Sequence, residues 1–313
     1  MKKSISTLTR TPHGQAGLTL IELMVGLVIG LILAIVASST YLYSKQAYSA
    51  VSETSQMEEN GRFALDLLAK NIQGAGFVSI DPKSQGAQGP SDMKIRGCSL
   101  GMVNPLAPSA TTDLDNCVSS TPAGSSPSAS IATFYDTDAY SSTGAAYKGF
   151  DCMGNSAVTV PSATGGSPSY SIRNYFFIST SQVQTPYGTT TMGQLSCAVN
   201  PTLAGGTATW QPAQPLIPGI QQLFVSYLLP SANDSTSAQA RTTADALNLN
   251  VAPVTWSKVA AVELCVLTKS IQASGNDTGT QVTDCFGNSF TPQPYQSYRR
   301  FTTIVNLRNR STS

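Results

Sequence analysis

The first pattern along the chain is a long run of apolar positions near the N-terminus. From Leu23 to Ser44 there are 22 residues without a charge, LMVGLVIGLILAIVASSTYLYS. At about 1.5 Å per residue, a helix of that length crosses a hydrocarbon layer ~30 Å thick with little to spare, so the run predicts a transmembrane segment over 18–44. Helix formers continue from Tyr43 to Ile72, and no proline occurs between Pro12 and Pro82. Tyr48, Val51 and Ser55 fall on one stripe, and Gly61, Ala64, Leu65, Leu68 and Ile72 continue it at steps of three and four. The glycines of NIQGAG, 71–76, supply the stop. Together these segments predict one helix from Leu18 to about Gln73, roughly 80 Å long at 1.5 Å per residue, with 18–44 in lipid and 45–76 packed on a head. Arg62 and Asp66 are spaced to pair across one turn, worth a few tenths of a kcal/mol at about four residues' separation.

Beyond Gly76 the period shortens. Ser130 to Tyr135, Tyr170 to Thr180, Ile220 to Leu229, Lys258 to Thr268 and Phe301 to Arg308 are rich in β-branched or aromatic residues and read as strands. The stretches 81–94, 105–128, 138–169 and 230–248 read as loops of Ser, Thr, Gly and Pro. The expectation is an α+β chain: a head over 77–313, built of antiparallel sheet with long loops, laid against the second half of the long helix.

Charge refines this picture. Charged residues are only 11% of the chain, and the formal charge of +1 hides an asymmetry. Lys2, Lys3 and Arg10 lie in the first seventeen residues; without these three, 15 basic residues face 17 acidic. That balance gives no general attraction to nucleic acid, although Arg299, Arg300, Arg308 and Arg310 form a local basic cluster, either a polyanion contact or a solvated strand end. Positive charge ahead of the span places the N-terminus in the cytoplasm and the head outside it.

Cysteine usage agrees with export. Cys98, Cys117, Cys152, Cys197, Cys265 and Cys285 form an even set at wide spacing, with no CxxC. Fifteen pairings of six cysteines exist in principle. Sequence-adjacent closure gives Cys98 to Cys117, Cys152 to Cys197 and Cys265 to Cys285, while a zinc site would want shorter spacings or a histidine. The one histidine, His13, precedes the apolar run. If 1–17 is removed as a leader, Ser-His-Asp and Cys-His catalysis go with it, which points away from an enzyme, and no cofactor motif is present. Asp113/Asp115, Asp136/Asp138 and Asn276/Asp277 put oxygen ligands in loops, but without the spacing of a calcium loop.

Within the N-terminus, an ordinary secretory signal would carry its small-residue cleavage site after the apolar core, for which Ala37-Ser38-Ser39 is the only candidate. Here a polar leader ends in Gly17 ahead of the run, and a carboxylate, Glu22, sits inside it. Such a carboxylate costs on the order of 3 kcal/mol at full membrane depth and is retained where it finds a partner, or snorkels near the interface. Gly26 and Gly30 make a small-xxx-small pair that lets helices approach closely.

The stretch Gly17-Leu18-Thr19-Leu20-Ile21-Glu22-Leu23 resembles the prepilin motif of type IV pilins and type II secretion pseudopilins. That resemblance implies cleavage after Gly17 by a prepilin peptidase, N-methylation of Leu18, and pairing of Glu22 with a neighbouring subunit's α-amine. Leu18 departs from the Phe usual in major pilins and favours a minor subunit. GRFALDLLAKNIQGAGF at 61–77, Gly97-Cys98, LIPGIQQLFVSY at 216–227, VAAVELCVL at 259–267 and RRFTTIVNLRNR at 299–310 are similar to the PilW family of minor pilins. This implies a type IV pilin fold and a subunit that waits in the inner membrane with a periplasmic head, then joins the pilus. Its partners would be other minor pilins, the major pilin and a large tip adhesin. A J-type pseudopilin shares the plan, and an adhesin or DNA-uptake subunit is a further alternative.

Overall fold

The computed structural model describes residues 17, 19–77, 95–103, 105, 116–120, 127–137, 150–155, 158–160, 169–185, 188–199, 202–204, 207–209, 211–230, 238–249, 256–271, 280–293 and 296–309. His13, Leu18, Asp113, Asp115, Asp138, Asn276, Asp277 and Arg310 lie outside them. The chain divides into two units, Met1–Ser49 and Ala50–Ser313.

One helix, α1 (Leu20–Gly74), supplies the described part of the first unit and opens the second. In chain order there follow β1 (Ile95–Cys98), β2 (Ser130–Thr137), β3 (Val158–Val160), β4 (Ser169–Thr185), β5 (Gly188–Val199), β6 (Thr202–Ala204) and β7 (Thr207–Thr209). Next are β8 (Gln214–Pro218), β9 (Ile220–Pro230), β10 (Ala238–Thr242), α2 (Ala244–Leu249), a 3-10 turn at Trp256–Lys258, β11 (Ala261–Lys269), β12 (Val282–Thr283), β13 (Ser289–Phe290) and β14 (Tyr298–Asn306). Among the described residues one sheet has the order β1-β2-β4-β5-β8, with β3 also on β4, and another has β10-β9-β11-β14. Every pairing in both is antiparallel, which gives the α+β class expected of a helix followed by short strands.

Both sheets and the second half of α1 share one core. Ala64, Leu65, Leu68 and Ile72 of α1 pack with Ile131, Phe176, Leu195, Ile217, Leu223, Val262, Leu264 and Val305. Burying each Leu or Ile contributes about 1.5–3 kcal/mol. A smaller cluster, with Phe134, Tyr175 and Phe177, lies on the other side of the β2-β4-β5 sheet. The helix comes close to β14 at Gly61, where any Cβ would run into the Phe301 ring. Between the sheets, a Cβ at Gly193 of β5 would run into the backbone of Ile220 and Gln221.

Three expectations need correction. The buried stripe runs from Ile72 through Leu68, Leu65, Gly61 and Met57 to Glu53; Tyr48, Val51 and Ser55 are exposed. The six-residue step from Ser55 to Gly61 is about 600° of rotation at 100° per residue, which puts Ser55 about 120° around the helix from the buried stripe. Arg62 pairs with Glu58 at 3.8 Å, and Asp66 with Lys70 at 2.7 Å, instead of with each other. Both observed pairs set the acid four residues before the base, the favoured order on a helix. Finally, 138–169 holds β3, 230–248 holds β10 and α2, and Lys258 belongs to the 3-10 turn, not to β11. β10 pairs with β9 through AQART, whose polar residues carry no strand pattern of their own.

Candidate functional site

The N-terminal motif sits at the first turn of α1. Thr19 caps the helix: its carbonyl accepts from Glu22 N at 3.1 Å and Leu23 N at 3.2 Å, and its Oγ1 lies 3.4 Å from Glu22 N. Thr19-Leu20-Ile21-Glu22 has the Thr-x-x-Glu spacing of a capping box, a local signal for where the helix starts. Glu22 is thereby held in the first turn, where the helix dipole favours a negative charge. Its carboxylate is exposed and has no hydrogen-bond or ion-pair partner among the described residues.

Among the described residues, the helix beyond Glu22 is apolar and uncovered as far as Val36. Every large apolar side chain from Leu20 to Val36 is more than half exposed, from 76% at Leu20 to 53% at Val25, Val28 and Ile29. Gly26 and Gly30 have nothing within 4 Å of the place a Cβ would take, so they leave a flat strip one turn apart. Gly17 is likewise exposed and open. Ser38, Ser39 and Thr40 donate their hydroxyls to the carbonyls of Ala34, Val36 and Val36 at 2.8, 2.8 and 2.9 Å. These bonds satisfy the hydroxyls inside the helix, as an apolar surrounding requires. Ala37-Ser38-Ser39 lies within unbroken helix.

In the second unit the cysteines form three pairs: Cys98 with Cys117, Cys152 with Cys197 and Cys265 with Cys285, with Cα separations of 5.3, 6.4 and 5.7 Å. The basic cluster is partly engaged by its own chain. Arg299 pairs with Glu58 of α1, and Arg300 reaches the Asp284 carbonyl at 3.4 Å. On its solvent side α1 has an open groove lined by Glu58, Glu59, Arg62, Phe63 and Asp66. No group of three or more His, Cys, Asp or Glu side chains among the described residues is arranged to hold a metal.

A feature that hydrophobic periodicity does not display is a repeated turn. Asp151-Cys152-Met153-Gly154-Asn155 and Asp284-Cys285-Phe286-Gly287-Asn288 share the pattern DCxGN, and both cysteines are disulfide-bonded. The two stretches agree at four of five positions, a short internal repeat visible in the chain itself.

Comparison with known proteins gives two family matches. Residues 175–309 match Type IV Pilus-assembly protein W, and residues 12–38 match the prokaryotic N-terminal methylation motif. A type IV-like pilin from Thermus thermophilus is similar at 11% identity and a TM-score of 0.36, covering 80% of this chain and 96% of that one. No curated protein matches.

Proposed function

This chain belongs to the PilW family of type IV minor pilins, and from that premise we propose that it helps to start pilus assembly and stays in or near the tip complex. Pilins of this kind are structural proteins, processed by a prepilin peptidase and assembled with other pilins. The observation that carries the reading is the first half of α1: an apolar helix left uncovered by the described residues, headed by a carboxylate with no partner among them. Lipid accepts the apolar surface of a single subunit, but it offers Glu22 nothing.

On this reading cleavage falls after Gly17, which presents no side chain to the peptidase, and Leu18 becomes the N-methylated first residue. Glu22 is then the fifth residue and takes the α-amine of a neighbour as its counter-charge. Gly26 and Gly30 let the two helices come close. Glu22→Ala makes the helix more apolar, so membrane insertion should be unchanged or improved. Docking should suffer, because the neighbour's amine is left in a low-dielectric site without an opposite charge. The processed protein should accumulate in the inner membrane while piliation falls or is delayed. Entry of the variant into pili at normal levels would contradict the pairing. Deleting the chain and examining the cell surface tests the wider reading: loss of pili supports an initiating pilin, whereas intact pili with failed exoprotein secretion would favour a pseudopilin.

A further inference from the structure

The two DCxGN turns have the same internal geometry. In the first, Asp151 Oδ1 accepts from Met153 N at 2.8 Å and Asn155 N at 2.9 Å, and Oδ2 from Asn155 Nδ2 at 3.1 Å. In the second, Asp284 Oδ1 accepts from Phe286 N at 2.9 Å and Asn288 N at 2.8 Å, and Oδ2 from Asn288 Nδ2 at 3.4 Å. Each turn is closed by its Asp N donating to its Asn carbonyl, at 2.9 and 2.8 Å. Each needs its glycine, with φ +82° at Gly154 and +88° at Gly287, values a side chain rarely adopts.

The likeness extends to what each turn is fastened to. Cys152 is bonded to Cys197 on β5, and Cys285 to Cys265 on β11. Opposite Cys197 on the neighbouring strand is Phe176, and opposite Cys265 is Phe224. Two residues before each Phe stands a buried carboxamide, Asn174 on β4 and Gln222 on β9. Asn174 Oδ1 accepts from Cys152 N at 3.0 Å, and Gln222 Oε1 accepts from Cys285 N at 3.0 Å. The first turn precedes its strand pair in the chain and the second follows, so the fastening recurs and not a stretch of fold.

The far end of each carboxamide leads elsewhere. Asn174 Nδ2 donates to Asn71 Oδ1 at 2.9 Å, and Asn71 in turn bonds the Leu67 carbonyl, in the closing turns of α1. Gln222 Nε2 donates at 3.4 Å to Asp284 Oδ2 of its own turn and at 3.1 Å to the Pro127 carbonyl, in the segment that enters β2 and is also held by Ser128 and Ala129 on Leu223. Cys98 and Cys117 join two short segments, with Met102 bridged to Cys117, and take no part in such a turn.

We infer that the two turns are one redox-set clamp built twice, in which the disulfide seats the turn, the turn's cysteine N–H fixes a buried carboxamide, and that carboxamide ties down a separate segment. The first clamp secures the last turns of α1; the second secures the entry to β2. Closing each takes two electrons and two protons from a pair of thiols, and the disulfide of an external thiol oxidant accepts them and becomes a dithiol. The head is therefore fastened at two independent points, and each responds to oxidation separately.

Hydrogen exchange on the full chain in detergent tests this. With Cys152→Ser and Cys197→Ser together, exchange should quicken at least about tenfold, a free-energy change of ~1.4 kcal/mol, at 152–155 and 67–74 and stay near wild type at 127–131 and 285–288. With Cys265→Ser and Cys285→Ser the pattern should reverse. Where a cysteine variant does not accumulate, Asn174→Ala and Gln222→Ala, which keep both disulfides, should quicken exchange at 67–74 and at 127–131 respectively. Unchanged exchange at those far segments, or the same segments quickening in both series, would overturn the inference.

Discussion

The two halves of α1 have one backbone and opposite surroundings. From Leu20 to Tyr48 only Ser39 is less than exposed, while from Glu53 to Ile72 one face is fully buried by the sheets. Each half also has a glutamate off the charged surface pattern. Glu53 is buried and accepts from Ile271 N at 3.1 Å, so its carboxylate is provided for within the chain. Glu22 has no such partner among the described residues. The contrast separates residues the head uses to fold from residues it leaves for lipid and for other subunits, a division by burial that average hydrophobicity does not make.

The largest expected effect follows from that division. Leu68→Ala empties a fully buried site and should cost the head about 2–5 kcal/mol in denaturant unfolding of the detergent-solubilised chain. Leu31→Ala, on the same helix and 58% exposed, should leave that unfolding unchanged. An equal loss from both would break the comparison.

A smaller effect sharpens what the second half packs into. The hydroxyl of Tyr227 is buried and has no hydrogen-bond partner among the described residues. Tyr227→Phe should therefore raise stability by ~1 kcal/mol, since it removes a desolvated donor without taking one from a neighbour. Burial, with the charge of Asp245 adding to it, pushes the Tyr227 phenol above its usual 10.0, and burial pushes Tyr298 up to about 12. A folded pKa above the unfolded one means stability that is complete below the ordinary tyrosine pKa of about 10 and is lost as pH rises beyond it. The Tyr227→Phe variant should lose less than wild type between pH 10 and 12 in a stability titration, the window set by those two tyrosine shifts. An identical alkaline loss would show that Tyr227 ionises as freely in the folded head as in the unfolded chain.

The smallest effect is on the solvent face of the same half. Lys70→Ala removes an exposed pair with Asp66 and should change stability by only a few tenths of a kcal/mol. A loss above about 1 kcal/mol would show that this face is not simply solvated in the isolated head.

Much of this is legible in the chain, for identifiable reasons. The apolar run and the glycines after Ile72 set the limits of α1 to within about two residues, because length and helix stops are local properties. The strands at 220–230, 261–269 and 298–306 carry continuous β-branched and apolar runs and stand out. β5 does not, since Thr189-Thr190-Thr191 and Gly193 look like a loop until the backbone of β9 is seen beside Gly193. The phase of the buried stripe is hidden above Gly61 because Glu53, the residue in register, is charged, and its bond to Ile271 N lies far off in the sequence. The pairing of Asn174 and Gln222 with the two cysteine turns depends on strand register, which no local pattern displays.

The most direct measurement of the central claim is the mass of the N-terminal peptide of the mature chain, isolated from inner membranes and from sheared pili. A peptide beginning at N-methylated Leu18 in both fractions, with Glu22 as its fifth residue, is the expected result. A mature chain that begins at Ser38 or Thr40, having lost the apolar half of α1, would contradict it.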